Sequence, residues 1–417
     1  MSDNFTENLS GWWGQPLERE YFPQQELSLA ERDRRWQEVR AEMANRGLDA
    51  LIVWGDTGKW DSKMANVRYL TQVGGNGEVA TCVFPLKGEP VVILWSMMML
   101  PEWTSGTSWV HQYRSSRMPR YARPSWSKSI VKEIQELGLH KGRLGVVGLE
   151  GTEAEGDIPY VTYSKIQELL PEASFENATD LMETQRNVKS AEEIEFLRRA
   201  ALIGDYAAEA MYECARPGVT EAEVVASMHD TLVRYGSEIP IMFLWGAGKP
   251  NRATRLTFAR GRKLEKGDVI DTEYSPRYSG YYSHAQRPLI LGEAPDPYDR
   301  LFDASLQSYW AGVEAIKPGL PVAELCRIMF EPIQKAGFDL YAGVFFHGMC
   351  LGWEKPYGIP DYPGKEVLKE GMVLGMEPGA ATPDLKMGVH VGDQIVVTAT
   401  GYERLNGLKV EVPVKKC

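Results

Sequence analysis

The sequence predicts a chain of the α/β (α+β) class, with an N-terminal α/β domain and a second domain built from a duplicated unit. Three observations point there. At 417 residues the chain is too long for one ordinary core. Its first part, to about residue 180, alternates helix-period and strand-period segments. Further on, "RPGVTEAEVVASMHDTLVRYGSE" (216–238) and "KPGLPVAELCRIMFEPIQKAGFD" (317–339) align without a gap at an offset of 101 residues, each with Pro-Gly before and Gly after a helical pattern.

The elements follow in order. Residues 30–46 are charged and helix-period, and Gly47 supplies a stop. Strands are predicted at 49–55 ("DALIVWG"), 80–85, 90–95 and 143–150, and helices at 127–137 and 163–170. The stretch 101–125, rich in Trp, Ser, Arg and Pro, shows no clear period. The domain boundary is expected at 183/184. Ser190 with Glu193 forms a capping box, and Ile194, Leu197, Ala201 and Ala208 keep the spacing of one buried helical face. A duplicated domain commonly places a pocket between its halves.

Composition narrows the function. Apolar residues are 43% and charged residues 25% of the chain, as in a globular protein. A net charge of −11 opposes nucleic acid and anionic membrane surfaces as partners. No apolar run reaches the roughly eighteen residues of a membrane span. No signal peptide is expected at the N-terminus. The five cysteines (82, 214, 326, 350, 417) are scattered and form no CxxC pair, so disulfides and zinc knuckles are not expected and a reducing, cytoplasmic setting is.

Polar residues of catalytic type gather in the C-terminal half. Glu273 and His284 lie in "GDVIDTEYSPRYSGYYSHAQR", His347 in "VFFHGMCLGWEKP", Glu377 in "EGMVLGMEPG" and His390 in "MGVHVGDQIVVT". Residues 390 and 392 share one face of the expected strand. Asp271 shares the face of Glu273 and is either its assistant or a strand-edge carboxylate. His229 reads as a solvated or core histidine. His111 and His140 have no identifiable partner.

With "KGDVI…GYYSHAQRPLILG", "KEGMVLGMEPG" and "VGDQIVVTATGYERL", the chain resembles the pita-bread (M24-like) family over nearly its whole length. That family includes methionine aminopeptidases, prolidases, aminopeptidase P, creatinase, ectoine hydrolase and one type of dimethylsulfoniopropionate lyase. The resemblance implies a creatinase-like N-terminal domain (1–183) and a pita-bread catalytic domain (184–417). In the metallopeptidase branch two ions are held by Asp, Asp, His, Glu and Glu. Those positions are here Glu273, His284, His347, Glu377 and Gly392. The histidine seven residues past the metal-binding one becomes Glu354, and the upstream histidine that helps peptide cleavage becomes Leu256. An ordinary two-metal aminopeptidase is therefore not expected.

Two enzymatic readings stay open. In one, His284, His347 and Glu377 hold a single divalent ion (Mn, Fe, Zn or Co), with His390 as a further ligand, as in a mononuclear Xaa-Pro-type peptidase or a C–S/C–O lyase. In the other there is no metal, and the enzyme hydrolyses a C–N bond of an amide or amidine in a small nitrogenous solute. Glu273 then stands where ectoine hydrolase has its nucleophile, with His284 or His347 as acid or base. A raised pKa, suited to a general base, is expected at Glu273. Glu354 is a further catalytic candidate or a plain loop residue. Tyr282 and Arg287 are substrate-binding candidates, Arg287 either holding a substrate carboxylate or lying on the surface. The glycine-rich loop 72–79 is expected to gate the partner subunit's site in a homodimer. An inactive binding protein is the alternative of another class; the retained His and Glu types favour an enzyme.

Overall fold

The computed structural model of the protein describes residues 17–58, 62–75, 79–95, 108–117, 123, 125–151, 156–240, 242–248, 258–293, 296–341 and 343–415. Leu256, the Met97–Leu100 cluster and residues 76–78 of the glycine-rich loop lie outside them. The chain forms two compact units. One is Gln25–Asn187 with Cys350–Trp353; the other contains Val188–Met349, Glu354–Cys417 and the segment up to Gln24.

The first unit carries helices α1 (Leu29–Arg46), α2 (Ala65–Thr71), α3 (Trp126–Glu136), α4 (Tyr160–Leu169) and α5 (Thr179–Asn187). Strands β1 (Ala50–Gly55), β2 (Ala80–Pro85), β3 (Val91–Leu94), β4 (Gln112–Ser115), β5 (Arg143–Val147) and β6 (Ser174–Asn177) form one mixed sheet in the order β4-β3-β2-β1-β5-β6. Ser28 caps α1 by accepting the Glu31 N–H, and Gly47 ends it in the left-handed region. The continuous apolar run of β1 is buried at every position, as a central strand requires. The two strands that the sequence did not announce, β4 and β6, are the sheet's edges. Both are polar and partly exposed, so neither carries a hydrophobic period.

The second unit begins with α6 (Ala191–Cys214), and both bonds of the Ser190/Glu193 capping box are present. Helices α7 (Glu221–Arg234), α8 (Tyr298–Ala315) and α9 (Val322–Lys335) follow. Its strands are β7 (Phe243–Gly248), β8 (Val269–Tyr274), β9 (Arg277–Tyr278), β10 (Tyr281–Tyr282), β11 (Ala285–Gln286), β12 (Leu289–Leu291), β13 (Asp339–Leu340), β14 (Phe346–Met349), β15 (Trp353–Gly358), β16 (Val373–Met376), β17 (Gly379–Ala381), β18 (Gly388–His390), β19 (Asp393–Val397), β20 (Tyr402–Arg404) and β21 (Val414–Lys415). Strands β11-β8-β12-β21 make one sheet, with β7 on β8, and β15-β14-β16-β19-β20 make another. Leu325, Met329 and Ile333 of α9 pack in one buried core with Leu374 and Ile395.

The duplication reaches well beyond the two helices. Gly218 N–H donates to Leu264 and Gly319 N–H to Leu368; Leu264 returns a bond to Val219 and Leu368 to Leu320. From these strands "KGDVIDTE" (266–273) matches "EGMVLGME" (370–377) at an offset of 104, and "SHAQRPLI" (283–290) matches "VHVGDQIV" (389–396) at an offset of 106. Pairing agrees: Gln286 lies opposite Glu273, Asp393 opposite Met376, and Gln286 bridges to Gly392. Glu273 and Glu377 are therefore counterparts in the two halves, as are His284 and His390, Gln286 and Gly392, and Arg287 and Asp393.

The unit closes on its last described residues. Strand β21 runs parallel to β12, and Lys415 Nζ donates to the carbonyls of Tyr212 and Ala215, at 2.8 and 2.7 Å, where α6 ends. A cation suits the negative end of a helix.

Candidate active site

Strand alternation points Asp271 and Glu273 to one face of β8. His284 enters from the turn before β11, His347 from β14, Glu377 from the end of β16 and His390 from the end of β18. All six are buried. The structure brings together four of the candidates directly. His284 Nε2 meets Glu273 Oε1 in a short contact, and His284 Nδ1 lies 3.0 Å from His347 Nε2. Glu377 closes the group, 3.4 Å from His347 Nε2 and 3.7 Å from His284 Nδ1. His284, His347 and Glu377 each offer one ligand atom, all within 4.8 Å of one another.

Hydrogen bonds fix the tautomers. His347 Nδ1 faces the Gly348 carbonyl at 3.0 Å, so that nitrogen carries the proton and the Nε2 lone pair faces the cluster. His284 Nε2 faces a carboxylate and donates to it. Its Nδ1 then confronts the His347 lone pair, and two lone pairs at that distance repel unless a proton or a cation sits between them.

Electrostatics separate the two glutamates. Burial pushes the Glu273 carboxyl up, but His284 and His390 outweigh it and hold the carboxyl well below the usual carboxylate range. The expectation of a raised pKa at Glu273 is thus corrected. The raised carboxyl is Glu377: burial, partly offset by His284 and reinforced by Glu273, pushes it up to about 7. Burial and then His284 hold the His347 imidazole down at about 3. His284 itself is raised against the effect of burial, by Glu273 and Glu377.

Gln286 is a site residue that sequence reasoning missed. Its Nε2 donates to Glu377 at 3.1 Å, while its buried Oε1 has no hydrogen-bond partner. A Cβ at Gly392 would lie 2.0 Å from that Oε1 and 2.3 Å from the Met376 carbonyl. No side chain fits at 392 with Gln286 in place. Nothing in a single sequence marked this, because the signal is a compensating pair split between strands. Tyr341 was missed for the same reason: its ring stacks on His390 at 4.9 Å and its hydroxyl bonds Asp271.

The remaining candidates fall elsewhere. His390 is not in the His284–His347–Glu377 group; its Nδ1 lies 2.9 and 3.0 Å from the Asp271 carboxylate oxygens and its Nε2 3.3 Å from Glu273 Oε2. Arg287 is not a surface arginine. It is buried, with Nη2 on Asp205 at 3.1 Å and Asp393 at 2.5 Å and Nη1 on the Gly392 carbonyl, so its guanidinium serves this inner network. Arg404 and Tyr309 bind the other oxygen of Asp393. Glu354 is buried and paired with Lys189 at 2.6 Å. Tyr282 is buried, with the Arg277 guanidinium 5.5 Å from its ring centre. His229 stacks on Phe243.

Comparisons with known proteins agree with this architecture. Residues 195–399 match the model of "Metallopeptidase family M24" and residues 35–188 that of the "Creatinase/Prolidase N-terminal domain". The chain is 30% identical to an Xaa-Pro dipeptidase of Pyrococcus furiosus over 67% of its own length and 78% of that protein. It is 27% identical to a creatinase of Bacillus sp. over 68% of its length and 71% of the relative. The crystal structure of the prolidase from Pyrococcus horikoshii superposes with a TM-score of 0.73 at 21% identity, covering 91% of this chain and 99% of the other. The chain belongs to metallopeptidase family M24, with the pita-bread fold and a creatinase-like N-terminal domain, and is an enzyme of the hydrolase class. Among the described residues no helix is long and apolar enough to cross a membrane.

Proposed function

We propose that this enzyme hydrolyses a C–N bond, of amide or amidine type, in a small nitrogenous substrate, from a site with one ion position at most. The observation that carries this reading is the closure at Gly392. The Gln286 amide and the Met376 carbonyl fill the space where a second-ion carboxylate would project. One ion position does fit the residues present. His284 Nδ1, His347 Nε2 and a Glu377 oxygen converge within 4.8 Å of one another, and a divalent ion there would take the place of the proton that His284 Nδ1 otherwise shares with His347. A divalent ion held there supplies Lewis acidity toward the substrate.

The chain's own groups divide the remaining work. With no ion bound, burial pushes the Glu377 carboxyl up to about 7, which suits it to take and return a proton. Gln286 holds that carboxyl from one side. Glu273 orients His284 through Nε2, as a carboxylate behind an imidazole commonly does. A cytoplasmic homodimer acting on a small molecule completes the reading, and light scattering at about twice the chain mass is its check.

The deciding experiment is elemental analysis of protein purified without added metal, followed by a panel of Xaa-Pro dipeptides and small amides and amidines. One equivalent of metal or none, with turnover of the small amides or amidines, is expected. Two equivalents with Xaa-Pro cleavage would make the protein an ordinary dipeptidase and remove the proposal.

A further inference from the structure

His390 is the counterpart of His284, yet it has a different set of neighbours. Both of its ring nitrogens face carboxylate oxygens: Nδ1 the two oxygens of Asp271, Nε2 the Oε2 of Glu273. A bare ring nitrogen directed at an ionised carboxylate is repelled, so with both carboxylates ionised both nitrogens carry protons. The ring cannot turn away. Tyr341 lies flat on it, 4.9 Å between centroids and 21° between planes. Gly379, opposite His390 in the β17–β18 pair, makes the stack possible: a Cβ there would sit 2.6 Å from Tyr341 Cβ and 2.9 Å from His390 Cβ. The Tyr341 hydroxyl also bonds Asp271, which closes a ring of contacts around the imidazole.

We propose that His390 is a built-in cation: a permanently protonated imidazole that stands between Asp271 and Glu273 in the place of a metal ion and positions Glu273 against His284. The titratable groups that bear on it are Asp271 and Glu273 on β8, Tyr341, and, at longer range, His284 and Glu377. The two carboxylates dominate and push the imidazole up to about 10, against the effect of burial. The Glu273 carboxylate thus serves two counterparts, with Oε1 on His284 and Oε2 on His390. A buried carboxylate pair without a cation would be costly, and a side chain that brings its own positive charge removes the need for an exchangeable ion. The inference rests on the reading of the site as having one ion position at most.

Two measurements test it. In the intact parent enzyme labelled with 15N-histidine, the resonances assigned to His390 by their loss in His390→Gln should show both nitrogens protonated from pH 6 to about 8.5. A lone-pair nitrogen shift for His390 at pH 7 would overturn the proposal. In folded His390→Ala, Mn2+ titrated calorimetrically should bind with about one equivalent more than in the parent, and Asp271→Asn in the same background should abolish the gain. A folded His390→Ala that gains no Mn2+ would likewise overturn it; if that variant does not fold, the parent spectrum decides. Metal content of the parent bears on the proposed function and the His390 resonances on this inference, so either can fail alone.

Discussion

The two halves of the catalytic unit place a glutamate at the same point of the same local structure, and the two glutamates behave in opposite ways. Glu273 is held below the usual carboxylate range and Glu377 is raised to about 7. Both are buried, so desolvation alone cannot separate them. Neighbours do. Glu273 has an imidazole on each oxygen, whereas Glu377 meets the neutral His347 and the Gln286 amide and has His284 only at 3.7 Å. A duplicated scaffold thus yields an ionised orienting group and a proton-exchanging group by changing the partner, not the backbone.

The most severe test of this contrast is Glu377→Gln. Turnover of the true substrate should fall by roughly two to four orders of magnitude. In the ion-free enzyme kcat/KM should also carry a limb near pH 7. As a base Glu377 acts only when deprotonated, so the rate should climb about tenfold per pH unit below that point and level off above it. Persistence of the limb in Glu377→Gln would place the proton exchange elsewhere.

Arg287→Met tests the junction between the halves, where Arg287 faces its counterpart Asp393. It leaves Asp205 and Asp393 buried without this cation, and denaturant unfolding should show a loss of about 3–5 kcal/mol. A loss under about 1 kcal/mol would mean that Arg404, which bonds Asp393, and Asn406, whose Nδ2 donates to Asp205 Oδ1 at 3.0 Å, satisfy the pair unaided. Glu273→Gln should cost less activity than the change at Glu377, about ten- to a hundredfold, because its carboxylate acts through His284. A loss equal to that of Glu377→Gln would reverse the assignment of the two glutamates. The smallest effect concerns helix capping. Thr220 caps α7 with a complete capping box, whereas its counterpart Pro321 makes no side-chain cap on α9. Thr220→Ala should lower stability by about 1 kcal/mol with activity unchanged, read by thermal unfolding.

Much of this was legible in the sequence. Apolar runs announced β1, β2, β3 and β5, and Ser190 with Glu193 announced α6 within a residue. The site residues Glu273, His284, His347 and Glu377 could be named because their flanking motifs are specific. The sequence did not show direction. Arg287 is adjacent to Gln286, yet alternation along the strand sends one into the Asp205–Asp393 network and the other to Glu377. Nor did it show the sign of the Glu273 shift, which two imidazoles set against burial, His284 first and then His390, 117 residues away. Gln286 and Tyr341 carry no motif of their own, and their roles exist only in the company of Gly392 and His390.

The ammonium of Lys415 caps a helix whose accepting carbonyl, at Tyr212, lies 203 residues earlier. Strand β21 likewise completes a sheet begun at β7. During synthesis, the first half of the catalytic unit emerges from the ribosome well before the residues that finish it. It waits, with α6 uncapped and β12 lacking its outer neighbour, while the second half is made. Contacts of such long sequence separation slow folding, and here they tie the start of the catalytic unit to residues made 203 positions later.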